Sequence, residues 1–368
     1  MTPTAAKHRE EVPVCRLLRT MLIAMLFAIV LGILLTGTAG AETTGETADG
    51  FTYSVNWDGA TITGYTGTDT AISIPADAEG VAVREIGYAA FQNNFNLQTA
   101  HIPSGVTTIG GAAFQGCINL TSVSIPASVT ALMGSAFEGC SSLASIQIPS
   151  SVNSMGCNTF KGCSSLTSVV VPPGVTFLGN TTFKDCSRLV SVTLPDTLTG
   201  MRYGTFWGCS SLISIQLPPG LTSIGEYTFY SCTNLANVGI SRAVTSIEDN
   251  AFSYCSSLTK LTVPSNVDFI SEDAFHSTPV TFRGNTESFA ETFANANGIP
   301  FEAIDLLPGM EPGDANLDGF VDVMDLVAII DYVITGSQPD SLSNADANGD
   351  YGIDIKDLVW VIDKIVGS

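Results

Sequence analysis

Phenylalanine recurs at positions 91, 114, 137, 160, 183, 206, 229, 252 and 275, and every step is 23 residues. A fixed period of this length marks a repeat architecture, in which each unit is one supersecondary element stacked on its neighbours. Other columns keep the same register. Cys follows three residues after Phe at 117, 140, 163, 186, 209, 232 and 255. Leu follows six residues after at 97, 120, 143, 166, 189, 212, 235 and 258. A branched aliphatic stands eleven residues after, from Ile102 and Ile125 to Val263, and Pro usually comes next, as at 103, 126 and 149. The unit reads Phe-x-x-Cys-x-x-Leu-x-x-Val-x-Ile-Pro-x-x-Val-x-x-Ile-Gly. One such unit cannot bury its own apolar face, so stability must come from stacking.

Leu120, Val123 and Ile125 spell L-x-x-L-x-L, the strand signature of a leucine-rich repeat. Alternation predicts that Val123 and Ile125 face inward and that Pro126, lacking an N–H for the ladder, ends the strand. Phe and Cys then lie on the return segment and fill the interior. Cysteines in register stack ~5 Å apart, within disulfide reach, but parallel side chains lack the torsion. Buried free thiols acting as small hydrophobes are expected, with Cys157 outside the column. The chain has three His (His8, His101 and His276), so no positioned Cys–His pair for nucleophilic catalysis is expected.

The Ala-Phe-x-x-Cys-x-x-Leu and Ile-Pro-x-x-Val-x-x-Ile-Gly segments resemble the BspA-like (Treponema-type) leucine-rich-repeat family of bacterial surface proteins, over residues 52–304. Thr61 to Gly67 and Ile72-Ser73-Ile74-Pro75 look like that family's longer first unit. Asp58 and Gly59 predict a hairpin turn between strands at 53–55 and 61–63. Residues 287–297 predict a short helix and 299–304 a strand, together a cap over the last core layer. The resemblance implies a mostly β solenoid with parallel strands on a concave face that binds protein or a cell surface. His101, Ser124, Gln147, Thr193 and Gln216 stand on that expected face. It is hydroxyl-rich and nearly uncharged, with no aromatic cluster to mark a hot spot, and a solvated face without a partner is the alternative.

The composition changes beyond residues 306–313, a Pro/Gly-punctuated linker. Residues 313–368 hold eleven Asp, no Glu and two Lys. Asp314, Asn316, Asp318, Asp322 and Asp325 occupy positions 1, 3, 5, 9 and 12 of a calcium loop, with Gly319 at the sharp turn and the Phe320 carbonyl at position 7. Asp346, Asn348, Asp350, Asp354 and Asp357 repeat the pattern 32 residues later, with Gly352 at position 7 and Tyr351 where the turn glycine would stand. Two Ca2+ ions are expected, because calcium accepts 6–8 hard oxygens in irregular geometry where magnesium does not. Apolar helical runs follow from Asp325 and from Asp357. Pro308, Gly309, Pro312 and Gly313 leave no room for a helix entering the first loop, unlike an ordinary EF-hand.

This duplicated loop-then-helix pattern resembles a type I dockerin, the small all-α module that docks into a cohesin domain of a scaffoldin in cellulosomes. A module this small typically needs its metal to fold. The resemblance implies cohesin contacts at loop positions 10 and 11, here Val323, Met324, Ile355 and Lys356; a core role for the apolar three is the alternative.

At the other end, Lys7, Arg9, Arg16 and Arg19 flank an apolar run at 21–35, followed by Ala39-Gly40-Ala41. That is the pattern of a cleaved export signal, with an uncleaved anchor as the alternative. No later run is long enough to span a membrane. With 35 Asp+Glu against 14 Lys+Arg the net charge is −21, which argues against nucleic acid and anionic membranes as partners. The expected organisation is a signal peptide at 1–41, a linker at 42–51, repeats with caps at 52–304, a linker at 305–312 and a dockerin at 313–368. The expected function is that of a secreted, non-catalytic adaptor held outside the cell on a cellulosome or the cell surface. Its repeats would take a protein, cell-surface or carbohydrate ligand. A hydrolase or protease-regulating subunit of a polysaccharide-degrading complex is the alternative, for which the repeats show no paired catalytic carboxylates.

Overall fold

The computed structural model describes residues 43–304, together with the single position Ile362. The expected export signal and the expected dockerin, with the residues expected to hold calcium and cohesin, lie outside the described residues 43–304.

The described residues open with strands Thr43–Glu46, Phe51–Asn56 and Gly59–Tyr65, neighbours in that order in one sheet. The stretch 42–51, expected as a linker, thus contains a strand. It covers an edge of the hairpin that would otherwise present unpaired backbone groups. The hairpin turn is Trp57–Asp58, one residue earlier than predicted, with Asn56 opposite Gly59. The Asn56 side chain closes it by accepting from the Asp58 N–H at 2.8 Å. Gly59 already belongs to the next strand at φ 142°, where an added Cβ would lie 2.8 Å from the Ala82 carbonyl oxygen.

Beyond this cap every coil but the one at 145–155 contributes two short strands, not one. The first kind is the expected one: Thr99–His101, Ser122–Ser124, Ser168–Val170, Ser191–Thr193, Ser214–Gln216, Asn237–Gly239 and Lys260–Thr262. Its middle residue faces in and its flanks face out, as in Ser122–Ser124. Val123 is buried, while Ile125, past the strand, is only partly so. The second kind comes from the Val-x-x-Ile-Gly segment: Thr108–Ile109, Ala131–Leu132, Ser154–Met155, Phe177–Leu178 and Gly200–Met201 pair in parallel, coil on coil. They extend the N-terminal sheet to ten strands. Between the two kinds the chain reverses after proline, as where the Val129 N–H donates to the Pro126 carbonyl at 3.1 Å. The first stack is broken where residues 145–147 form no strand, so Ser122–Ser124 and Ser168–Val170 fall in separate sheets.

The interior is a column of rings. From Phe91 to Phe275 successive centroids stand 5.0–5.7 Å apart, with planes within 2–16° of parallel. Phe51 meets the first ring edge-on at 75°, and Phe282 meets the last at 71°. The cysteine column lies beside the rings. Each Sγ–H donates to the Phe carbonyl of the preceding coil at 3.0–3.1 Å, from Cys117 on Phe91 to Cys255 on Phe229. In the last coil Thr278 takes over, donating to the Phe252 carbonyl at 2.6 Å. All these thiols are free and buried, and Cys157 is free and exposed.

The array is closed by helix Phe289–Asn297 and strand Phe301–Ala303, which pairs with Thr281–Gly284. The helix starts two residues later than predicted. Ser288 is its N-cap, accepting from the Glu291 N–H, and Glu287 sits at φ 58°. Gly298 ends it at φ 69°, while Ala290, Phe293 and Ala294 cover the last layer.

Candidate functional site

Two faces of the solenoid carry the polar and aromatic side chains that could hold a ligand. The first is the outward face of the three-residue strands. His101, Ser124, Gln147, Thr193 and Gln216 are all exposed there. His101 and Ser124 are register partners on adjacent coils, whereas Gln147 lies in the irregular break. Thr193 and Gln216 border a shallow depression of about 300 Å³ with Asp196, Pro218, Pro219 and Ser241. This face brings together hydroxyls and amides, and no aromatic ring stands on its expected positions.

The second face lies over the return segments, where the residue after the core Phe points outward, except at Ser253, which is buried. Its first half is a polar ladder. Gln92 donates to Gln115 at 2.5 Å, Gln115 donates to Glu138 at 2.9 Å, and Lys161 pairs with Glu138 at 2.9 Å. Partial burial would raise the Glu138 pKa. The hydrogen bonds and charge from Lys161, with those from Ser135 and Gln115, outweigh it and hold the carboxyl below its usual range.

The second half of the same column is aromatic. The Lys184 ammonium sits 3.4 Å from the Trp207 ring centroid. Trp207 meets Tyr230 at 5.0 Å, Tyr230 meets Tyr254 at 5.2 Å, and Tyr254 meets His276 at 5.5 Å. A second row runs beside it, with Tyr203 against Tyr227 at 5.1 Å and Tyr227 against Tyr230 at 5.3 Å. Desolvation within this cluster, and then the neighbouring tyrosines, raise the phenol pKa values of Tyr203 and Tyr230. Tyr227 and Tyr254 hold left-handed backbone at φ 56° and 63°. The second of these positions is Gly116, Gly139, Gly162 and Gly208 in other coils. A bulky side chain there is uncommon and unfavourable.

The aromatic face did not emerge from reading strands, because its residues belong to turns. The signal was nonetheless present: Trp207, Tyr230 and His276 share one column of the 23-residue register, Tyr254 follows that column's Ser253, and Tyr203 and Tyr227 stand four and three residues before Trp207 and Tyr230.

Burial pushes the Cys117 thiol up to about 12 and the Cys163 thiol well above the ordinary range. Among the described residues no cluster of three His, Cys, Asp or Glu is placed to hold a metal ion. Nor, among them, is any helix long and apolar enough to cross a membrane.

Comparison with known proteins adds two family matches. The model of the BspA type leucine-rich-repeat region matches at 84–206 and 156–281, and that of the dockerin type I domain matches at 312–366. No curated protein matches the chain. Among solved structures, a leucine-rich-repeat protein from Bacteroides ovatus ATCC 8483 is 27% identical, with a TM-score of 0.61, covering 70% of this chain and 67% of its own. A leucine-rich-repeat protein of T. pallidum is 34% identical over 52% of this chain and 91% of its own, with a TM-score of 0.49. A leucine-rich cell surface protein from Faecalibacterium prausnitzii A2-165 is 22% identical over 73% of this chain and 97% of its own, with a TM-score of 0.46.

Proposed function

The chain belongs to the BspA-type leucine-rich-repeat family and carries a type I dockerin, and from that premise we propose that it is a secreted, non-catalytic adaptor. The observation that carries this reading is the joining, in one chain, of a repeat region at 84–281 to a dockerin at 312–366. The dockerin tethers and the solenoid binds.

Residues 1–41 serve as the export signal. Outside the cell the two loops each take a calcium ion, through Asp314, Asn316, Asp318, Phe320, Asp322 and Asp325 and through Asp346, Asn348, Asp350, Gly352, Asp354 and Asp357. Each loop converges four carboxylates and an amide on one point, so their mutual repulsion is relieved only by the cation. Ion binding therefore drives folding of the module. The folded helices then present Val323, Met324, Ile355 and Lys356 to a cohesin of a scaffoldin. The solenoid, anchored in this way, displays its exposed faces to a protein, cell-surface or carbohydrate ligand. A buried thiol column with raised pKa values offers no nucleophile, which supports a binding role for this half.

Calorimetry of the protein against a panel of cohesins, in calcium and in EDTA, tests the reading. One-to-one binding in calcium that disappears in EDTA is expected. If no cohesin binds while calcium still folds residues 313–368, the tethering role is wrong.

A further inference from the structure

The aromatic face has features that the strand face lacks. Its rings climb four consecutive coils, from Trp207 through Tyr230 and Tyr254 to His276, with one contact of 5.0–5.5 Å per step. Exposed carboxylates of Asp185, Glu226, Asp249 and Glu272 lie in the same turns. The polar ladder of Gln92, Gln115, Glu138 and Lys161 continues the column beyond the rings. Two tyrosines stand in left-handed conformations that glycine or asparagine would adopt without strain. An array kept only for stacking would gain stability by replacing them.

We propose that this face is a binding site for a single extended chain of a neutral polysaccharide, laid along the solenoid axis with about one sugar per coil. The proposal rests on the solenoid being a binding module and not on the dockerin.

The step length selects the ligand class. An extended peptide returns a side chain to the same face every two residues, ~6.6–6.8 Å. A polyproline helix does so every three, ~9 Å. Neither keeps step with the coil spacing of this array. An extended chain of pyranose rings advances by about one coil per sugar, so each sugar can lie against the exposed part of an aromatic side chain, at Trp207 beside the Lys184 ammonium that covers its ring, while its hydroxyls reach the flanking carboxylates and amides. The flanking carboxylates, and a chain of net charge −21, repel polyuronates and other polyanions. Successive rings meet at 58–67°, so the surface is corrugated. It suits one soluble chain better than the flat face of a crystalline fibre.

Affinity electrophoresis and calorimetry of the full chain, in calcium and in EDTA, provide the test. The probes are mixed-linkage β-glucan, galactomannan and arabinoxylan, with polygalacturonate as the anionic control and a Lys/Arg-rich peptide as the rival ligand. At least one neutral glycan should bind, equally in calcium and in EDTA. Trp207→Ala and Tyr230→Ala should each weaken it by about tenfold or more, the scale of losing one aromatic anchor. Trp57→Ala, at the exposed turn of the N-terminal hairpin and outside both faces, should leave it unchanged. Tyr254→Gly should weaken binding while leaving the melting temperature unchanged or higher, which a purely structural role for the ring would not do. Binding of the peptide instead, a dimer that the same variants abolish, or retention of no neutral glycan at all would overturn the proposal. None of these outcomes bears on cohesin binding, so the tethering role stands or falls separately.

Discussion

Seven thiols stand one above another in the interior, and each spends its proton on the carbonyl of a core phenylalanine one coil back. This explains why Cys recurs three residues after Phe. A small side chain fits beside the stacked rings, and its weak donor adds a second hydrogen bond to a carbonyl that already accepts from a turn N–H, as the Phe114 carbonyl does from the Cys117 N–H at 3.2 Å. Thr278 in the last coil serves the same carbonyl with a stronger donor. Desolvation raises these thiol pKa values above the ordinary 9.0, to about 12 for Cys117 and Cys255. A raised folded-state pKa means that stability is fully present below the unfolded pKa and declines as pH climbs toward the folded one. The urea midpoint should therefore hold up to about pH 8.5 and fall from there toward pH 12. At pH 8, in protein lacking residues 1–41, Ellman's reagent should label Cys157 at once and the seven others only after denaturation. Rapid labelling of several thiols in the folded state would contradict the buried column. That column was legible in the sequence from its register alone. For Tyr254 the left-handed backbone left a partial trace, in Gly116, Gly139, Gly162 and Gly208 of the same column, whereas the column of Tyr227 varies too widely in residue type to mark it.

At the scale of elements, the three-residue strands and the closing helix were foreseeable, and the second stack of strands was not. Alternation identifies a strand only when there is enough of it to count, and segments such as Thr108–Ile109 and Ala131–Leu132 are two residues long. They become strands because the 23-residue register brings identical segments side by side, so that each coil supplies the next with hydrogen-bonding partners. The closing helix shows the same division. Its cap residue Ser288 and terminating Gly298 are standard sequence signals, but its purpose is set by Phe293, which packs 6.3 Å from Phe282 over the end of the ring column. Phe293→Ala should destabilise the protein by ~3 kcal/mol and Ser288→Ala by ~1 kcal/mol, both read from urea denaturation. Equal losses would mean that the cap is held by its own helix rather than by the core layer it covers.

For the whole molecule, two modules with different sources of stability share one chain. The solenoid is held by the apolar stacking of its core columns. The dockerin, too small for much of a core, is expected to need calcium. EDTA should thus remove the helical circular-dichroism signal of residues 313–368 while leaving the solenoid's melting transition in place, and calcium should restore it. A loss of both transitions together would show that the modules unfold as one. The sequence by itself determined the solenoid, its period, its core columns and its closing cap, because each of these is a local pattern repeated or spaced along the chain. Only the tertiary structure decided which outward side chains meet. The rings at 203, 207, 227, 230, 254 and 276 belong to four different coils and reach one another because stacking sets those coils about 5 Å apart. A shared surface is a property of the stack, and no single unit of 23 residues contains it.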